Sequence, residues 1–498
     1  MIALVLLFLF LAFFYGAIAA LYGGVAALIL FAPVLPIIFT LMDFRVGLIA
    51  LMLITPFQNT PFLPSFTGFN IVNYLTAATL GSLLLAHMMG RVKLAPFPRY
   101  VWWLYVIPVC LAGINGLSHL HEVAYSFDPI TVAVYETPKK YLAELVIKPS
   151  LLLMVAWMLG TAILNTKRPR LLLVPVVLGP VLPALSVLVY LPLMGYDLHF
   201  LASASPLARM VMNKIGLHAN ELGLLLALGL SVQLFMLPVV TGKARFALLA
   251  CMAMVGTALV LTFSRGSYLA ALVPLLFFLI TLRKVSFYLV ISVGLASVAM
   301  LFGDAIWERI TTGTAAAPVA HFSTGGGMSG EELSAGRFWI WEKLFPDVWN
   351  SPIVGSGVGS TVWTDAAHSG MIRVGHPHNL YLRTMLDMGM AGLILVLLFY
   401  KNVFGHFRML SNREDIDPLF RAAFKGIMFG FVGFLVAGMV GANYVTDQPQ
   451  TYLWLMFGAG LAFLSKGGRL EAQRGDVGVP ATATSDTASS AQLACRRP

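Results

Sequence analysis

Charged residues are scarce. Asp, Glu, Lys and Arg make up 11% of the 498 residues, against about 25% in an ordinary soluble chain. So little charge cannot clothe a water-facing surface, which excludes a soluble globular protein and a disordered one. Cysteine is scarcer, with three in all. Cys110 and Cys251 lie in apolar runs and Cys495 lies in the tail, so there is no disulfide framework and no cysteine metal site. Cys495-Arg496-Arg497-Pro498 lacks the aliphatic pair of a prenylation box. No internal repeat is visible, nor a matched pair of broken helices of the kind inverted-repeat transporters carry.

Apolar sequence is abundant: 59% of residues are hydrophobic, and the mean hydropathy is +0.84. Runs of span length recur along the chain, which predicts an all-α polytopic membrane protein, since lipid offers backbone polar groups no partner outside a helix or closed barrel. Reading each run as a span gives fourteen, from 2–21 to 451–465. The first three (2–21, 24–42 and 46–56) are ambiguous, so about 11–14 helices are expected. The N-terminal run has no Lys or Arg before it and reads as a retained anchor.

The net charge of +10 is unevenly placed. Of the 32 Lys and Arg, 21 fall in 91–99, 164–170, 241–245, 283–284, 401–425 and the tail 466–498, together with Arg45. The positive-inside rule then puts both termini in the cytoplasm of a bacterial inner membrane. The basic excess is an orientation signal, so no nucleic-acid partner is expected. The other face receives 118–141, 195–216 and 303–377. The expected organisation is an N-terminal bundle over 1–302, a large periplasmic loop over 303–377, C-terminal transmembrane helices over 378–465 and a disordered tail over 466–498. Within the loop, Phe338, Trp341, Phe345 and Trp349 recur at spacings of three and four. That pattern suits either a helix lying in the membrane interface or one packed on the bundle.

Ionisable groups at membrane depth are costly, so each asks for a reason. Glu144 with Lys148, and Arg383 with Asp387, sit four apart on one helix face and read as mutually neutralising pairs. Arg209 and Arg265, on the outer side, lack such local partners. An arginine there either snorkels to headgroups or binds a phosphate through its planar fork. His376 and His378 flank Pro377 at the end of the long loop. Beside a helix N-terminus an imidazole tends to stay neutral, and a neutral imidazole can serve as a base. A third metal ligand with convincing spacing is missing. Asp415-Ile416-Asp417 offers a competing D-x-D motif in a cytoplasmic loop.

His378-Asn379, nine residues, then Gly389-Met390-Ala391-Gly392 resembles the H-[NSQ]-x9-G-x-x-[GTY] signature of the O-antigen ligase and polymerase superfamily. Ser264-Arg265-Gly266 resembles that family's S-R-G turn, and Gly336-Arg337 to Trp341 with Ser351-Pro352-Ile353-Val354-Gly355-Ser356-Gly357 is similar to its outer loop. The resemblance covers roughly 205–400. It implies a GT-C-like, metal-independent membrane glycosyltransferase with no cofactor. The implied donor is a glycan on undecaprenyl diphosphate. The acceptor is lipid A–core for ligases, another lipid-linked repeat for polymerases, or protein for other relatives. On this resemblance His378 is the base, Arg265 and Arg209 hold the diphosphate, and Asn379, Arg383 and Arg337 support them. A flippase for lipid-linked sugars and a cytoplasm-facing sugar-nucleotide transferase using Asp415 and Asp417 are the alternatives.

Overall fold

The computed structural model describes residues 40–57, 65–66, 69–124, 127, 129–203, 206–282, 285–311 and 336–464. The expected span 2–21, almost all of 24–42, and the tail 466–498 lie outside these residues. The chain is an all-helical polytopic membrane protein; a two-residue pairing of Ser65–Phe66 with Phe69–Asn70 is the β structure among the described residues.

Helix α1 spans Phe44–Ile54, α2 Ile71–Met88, α3 Arg99–Glu122, α4 Pro138–Leu164 and α5 Pro169–Leu193. Then come α6 (Ala219–Met236), α7 (Gly242–Leu261), α8 (Arg265–Leu282) and α9 (Val285–Thr311). After these follow α10 (Arg337–Leu344), α11 (Leu380–Asn412), α12 (Pro418–Gly438) and α13 (Thr451–Leu461). Among the described residues eight helices are long and apolar enough to cross a membrane: α2 to α7, α11 and α12. Two expectations shift. The span expected over 285–302 continues to Thr311, shortening the loop from its N-terminal side. The span expected over 451–465 is an eleven-residue helix buried on all sides, too short to cross alone.

Proline shapes three of the long helices. Pro108, Pro149 and Pro192 each follow a single π-turn, closed by the N–H of Ile107, Lys148 and Leu191 onto the carbonyls of Trp102, Ala143 and Ser186. A proline ring would clash with the carbonyl one turn back, and the wider π-turn moves that carbonyl aside without leaving the helix. Helix α6 is central, packed by α7, α8 and α12. Helices α4 and α13 approach through Gly160 and Gly458, where a Cβ on either would meet the carbonyl of Gly458 or Ala156.

A second, smaller core sits at one end of the bundle. It joins Tyr135 and Tyr141 to Leu344, Val348, Val362, Trp363, Leu382 and Leu386. Backbone bonds stitch it together: Ala124 N–H donates to Val362 O (3.0 Å) and Val358 N–H to Ala112 O (3.2 Å). The aromatic stretch divides its work here. Phe338, Phe345 and Trp349 stay exposed, while Trp341 turns inward and its indole N–H donates to Pro377 O at 2.8 Å.

Candidate active site

The S-R-G turn enters α8 under strain. Phe263 takes a positive φ of 46°, and the Ser264 hydroxyl accepts from the Ser267 N–H at 3.4 Å, capping the helix. Arg265 therefore occupies the first turn, where the helix dipole disfavours a cation and favours an anion. Arg209, from the short helix Pro206–Val211, donates through Nε to Thr262 O (3.2 Å) and through Nη2 to Asn220 Oδ1 (2.8 Å). Those two bonds tie it to the S-R-G turn and to the start of α6. Arg337 opens α10 across from them.

The three arginines share one neighbourhood. Burial lowers the proton affinity of Arg337 to about 10, with Arg265 and Arg209 adding to the effect. Burial, opposed by Tyr268 and reinforced by Arg265, lowers Arg209. Among the described residues, none of the ion pairs involves Arg209 or Arg337. Cations gathered this closely are unfavourable on their own and suited to an anion.

His378 stands beside this cluster in a left-handed conformation, φ 52°. A non-glycine residue there is strained, and such strain concentrates at functional sites. The strap that holds it is fixed on both sides. Trp341 binds the carbonyl of Pro377, and Asn379 Oδ1 accepts from the Tyr381 and Leu382 N–H groups at 2.9 and 3.1 Å, capping α11. Asn379 thus spends its carbonyl oxygen on the cap. The His376 and His378 rings meet edge to face, 4.1 Å between centroids. Burial, then His376 and Arg337, hold His378 well below the usual histidine range; burial and then Arg383 lower His376. Both imidazoles are therefore neutral near pH 7.

The recess beside His378 measures 60 Å³ and is lined by Asn220, Glu221, His376, Arg383, Asn443 and Asp447, among others. Burial, and then Glu221, raise the Asp447 carboxyl to about 8. His218, Glu221 and Asp447 were missed as site residues from sequence. Glu221 and His218 form a capping box for α6, with Glu221 Oε2 accepting from His218 N–H at 3.1 Å. That signal was legible, but it reads as helix capping and nothing more.

Arg383 behaves differently from the other arginines. Its Nε lies 3.6 Å from Asp387 Oδ2, and Asp387 is fully buried. Asp387 Oδ1 also accepts from Gly359 N–H (3.1 Å), Ser360 N–H (3.0 Å) and the Ser360 hydroxyl (2.8 Å), and Oδ2 accepts from Tyr444 O–H (3.0 Å). The pair thus fastens the glycine-rich loop onto α11. The signature glycine completes that joint. Gly389 adopts φ 66° and breaks α11, a Cβ there would strike Ile353 O, and Met390 and Ala391 donate to Pro352 O and Ile353 O at 2.8 and 3.1 Å. The His-Asn-x9-Gly spacing is the length of helix between the histidine strap and this docking joint.

The D-x-D motif lies at the opposite end of α11, about 50 Å of helix away at 1.5 Å per residue. Arg413 Nη2 pairs with Asp415 at 2.5 Å and Arg170 with Asp417 at 2.6 Å, while Asp417 caps α12 through Leu419 N–H at 2.8 Å. Both carboxylates are neutralised in place. Among the described residues no group of three or more His, Cys, Asp or Glu is arranged to hold a metal ion.

A multi-pass membrane protein with a carboxylate-poor arginine cluster beside a strained, neutral histidine is the class these features define. Residues 247–397 match the model of the O-antigen ligase family, a stretch that includes the S-R-G turn, Arg337, His378 and Gly389. It is 30% identical over 120 residues to a Rickettsia conorii protein named "Putative polysaccharide ligase", covering 22% of this chain and 27% of that one. A Rickettsia felis protein of the same name is 29% identical over 119 residues, with the same coverage. The chain spans about a quarter of the length of the curated relatives it matches.

Proposed function

We propose that the protein transfers a glycan from a polyprenyl diphosphate, undecaprenyl diphosphate in bacteria, to an acceptor hydroxyl at the periplasmic face of the inner membrane, as a ligase or polymerase in polysaccharide biosynthesis. The observation that carries the reading is the half-buried cluster of Arg209, Arg265 and Arg337 beside neutral His378. The acceptor oxygen attacks the anomeric carbon, and the bond from that carbon to the diphosphate oxygen breaks with its electrons leaving on the diphosphate. His378 takes the hydroxyl proton, a contribution of about 10²–10⁴-fold for a positioned base. The arginines bind the diphosphate and stabilise the charge that grows on it, the task a divalent metal performs elsewhere. A bound diphosphate also offsets their effect on His378 and raises its proton affinity just where a base is needed. Attack opposite the leaving group inverts the anomeric configuration. Both termini face the cytoplasm in this reading.

The test is His378→Ala in purified protein supplied with lipid-linked glycan, with and without EDTA. The expected result is loss of transfer in the variant and full wild-type transfer in EDTA. Wild-type product from the variant overturns the base assignment, and EDTA loss restored by Mg²⁺ overturns the metal-free reading. In a deletion strain, shortened surface chains mark a polymerase, whereas full-length chains stranded on the carrier mark a ligase.

A further inference from the structure

A second cavity, of 220 Å³, adjoins the recess of His378. The two share Glu221, Asp447 and Pro449 as a common wall. Its other walls come from α1, α2 and α4. Glu144 and Lys148 sit on either side of the end of the α4 π-turn, and their carboxylate and ammonium pair at 2.5 Å while remaining about one-third exposed. Leu151, Leu152 and Val155 supply an apolar side. The cavity therefore offers hydrogen-bond donors and acceptors on one flank and a hydrocarbon surface on the other.

Asp447 is the unusual member. Its Oδ1 is shut off from solvent and makes no hydrogen bond of ordinary geometry, although the Asn443 and Gln450 side chains stand close enough to favour its charged form. The Gln450 amide makes its short bonds to Asn443 O (2.8 Å) and Val445 O (2.9 Å), which leaves it a weak partner for Asp447. A buried carboxyl group without a well-formed hydrogen bond is costly whether or not it is ionised, and such groups are rare in native proteins. Glu221 beside it excludes a second anion as the missing partner. A metal ion is not favoured either: Lys148 already supplies the positive charge, and among the described residues no metal-holding group of acids and histidines occurs. A hydroxyl-rich neutral molecule fits both flanks, since each hydroxyl donates and accepts and a sugar ring presents C–H surface on its face.

We propose that this cavity is a subsite for one sugar ring of the acceptor glycan, with Asp447 and Glu221 taking its hydroxyls at the wall it shares with His378. The word acceptor rests on the transfer reading; the sugar subsite does not. The placement gives the two substrates separate entries. Asn220, bound to Arg209, borders the recess on the diphosphate side, and Asp447 connects it to the sugar cavity.

The test is saturation-transfer NMR on the full chain in lipid nanodiscs with free glucose, galactose, rhamnose and N-acetylglucosamine. Wild-type protein is expected to saturate at least one of them. Asp447→Leu, close to isosteric, is expected to weaken that binding about tenfold, the effect of one lost hydrogen bond to a ligand. Leu151→Trp, which fills the cavity from its apolar side, is expected to abolish it. His378→Ala is expected to leave it intact. The proposal is overturned if no sugar is saturated by wild-type protein, if both cavity variants bind as wild type does, or if binding is lost with His378. The assay holds no donor and forms no glycosidic bond, so its failure is distinct from failure of the transfer reading.

Discussion

The two ends of α11 handle charge in opposite ways. At the Asn412 end, Arg413, Asp415, Arg170 and Asp417 are partly or well exposed and satisfied by one another. At the His378 end, Arg209, Arg265 and Arg337 crowd together under partial burial, and the acids nearby are spent otherwise, Asp387 on the loop and Glu221 on a helix cap. Exposed ion pairs contribute little and ask for no ligand. Buried like charges destabilise the empty protein and are offset only when an anion arrives. The sequence presents basic residues at both ends, and their surroundings separate self-satisfied ion pairs from a candidate binding site.

Four outcomes would break or sharpen that contrast. The largest concerns Arg383, which pairs with Asp387 at the His378 end. Asp387→Ala strips Arg383, Tyr444 and the Gly359–Ser360 amides of their acceptor, and loss of one partner from a buried charge pair costs about 3–5 kcal/mol. Thermal unfolding in detergent should show a large fall in midpoint; an unchanged midpoint would mean the loop is held some other way. Next, Arg337→Ala removes one cation from the growing charge on the diphosphate. It should lower transfer about 10²–10³-fold, as removal of a single oxyanion donor does, with the protein folded and in the membrane. Transfer at the wild-type rate would detach Arg337 from the chemistry.

A smaller effect is expected from pH. The base form of His378 is the deprotonated one, and its proton affinity is depressed by burial and by neighbouring cations. The base form therefore persists below the ordinary histidine value of about 6.5. The value of kcat/KM, which reports the free enzyme, should stay level from about pH 7.5 to about 6, and a fall centred near 6.5 would show an unperturbed imidazole. The smallest effect belongs to the other end. Asp415→Asn should leave transfer unchanged, and Asp417→Ala should cost about 1 kcal/mol of stability through the lost α12 cap. A large loss of transfer in either would return the D-x-D motif to the chemistry.

Much of the fold was legible because the bilayer constrains it so strongly. Long apolar runs become helices, and most expected spans appear within a few residues. Errors arose where hydropathy is blind to packing. Residues 303–311 read as loop because Asp304 and Glu308 interrupt the apolar run, yet α9 continues through them. Residues 451–465 read as a span because apolarity alone does not separate a short core helix from a crossing one. At the candidate site, His378, Arg265 and Arg209 were singled out from motif and placement, and the structure sets Arg209 and Arg265 near Arg337, and Arg337 near His378. Asp447 was not found. Nothing in Val445-Thr446-Asp447-Gln448 marks it locally, because its interest comes from neighbours on α4, α6 and the histidine strap.

The sequence alone determined that the chain spans a membrane, that its charge is unevenly placed along it, and that a histidine and glycines recur at a family's spacing. These are properties of runs, counts and intervals, which local physics reads directly. Only the tertiary structure decided which charges are neutralised, that Gly389 is a docking joint rather than a hinge in open space, and that Asp447 and Glu221 wall off a second cavity. Each of those depends on which atoms lie within a few ångströms across helices distant in sequence. Burial and hydrogen bonding act over that range, and no interval along the chain encodes it.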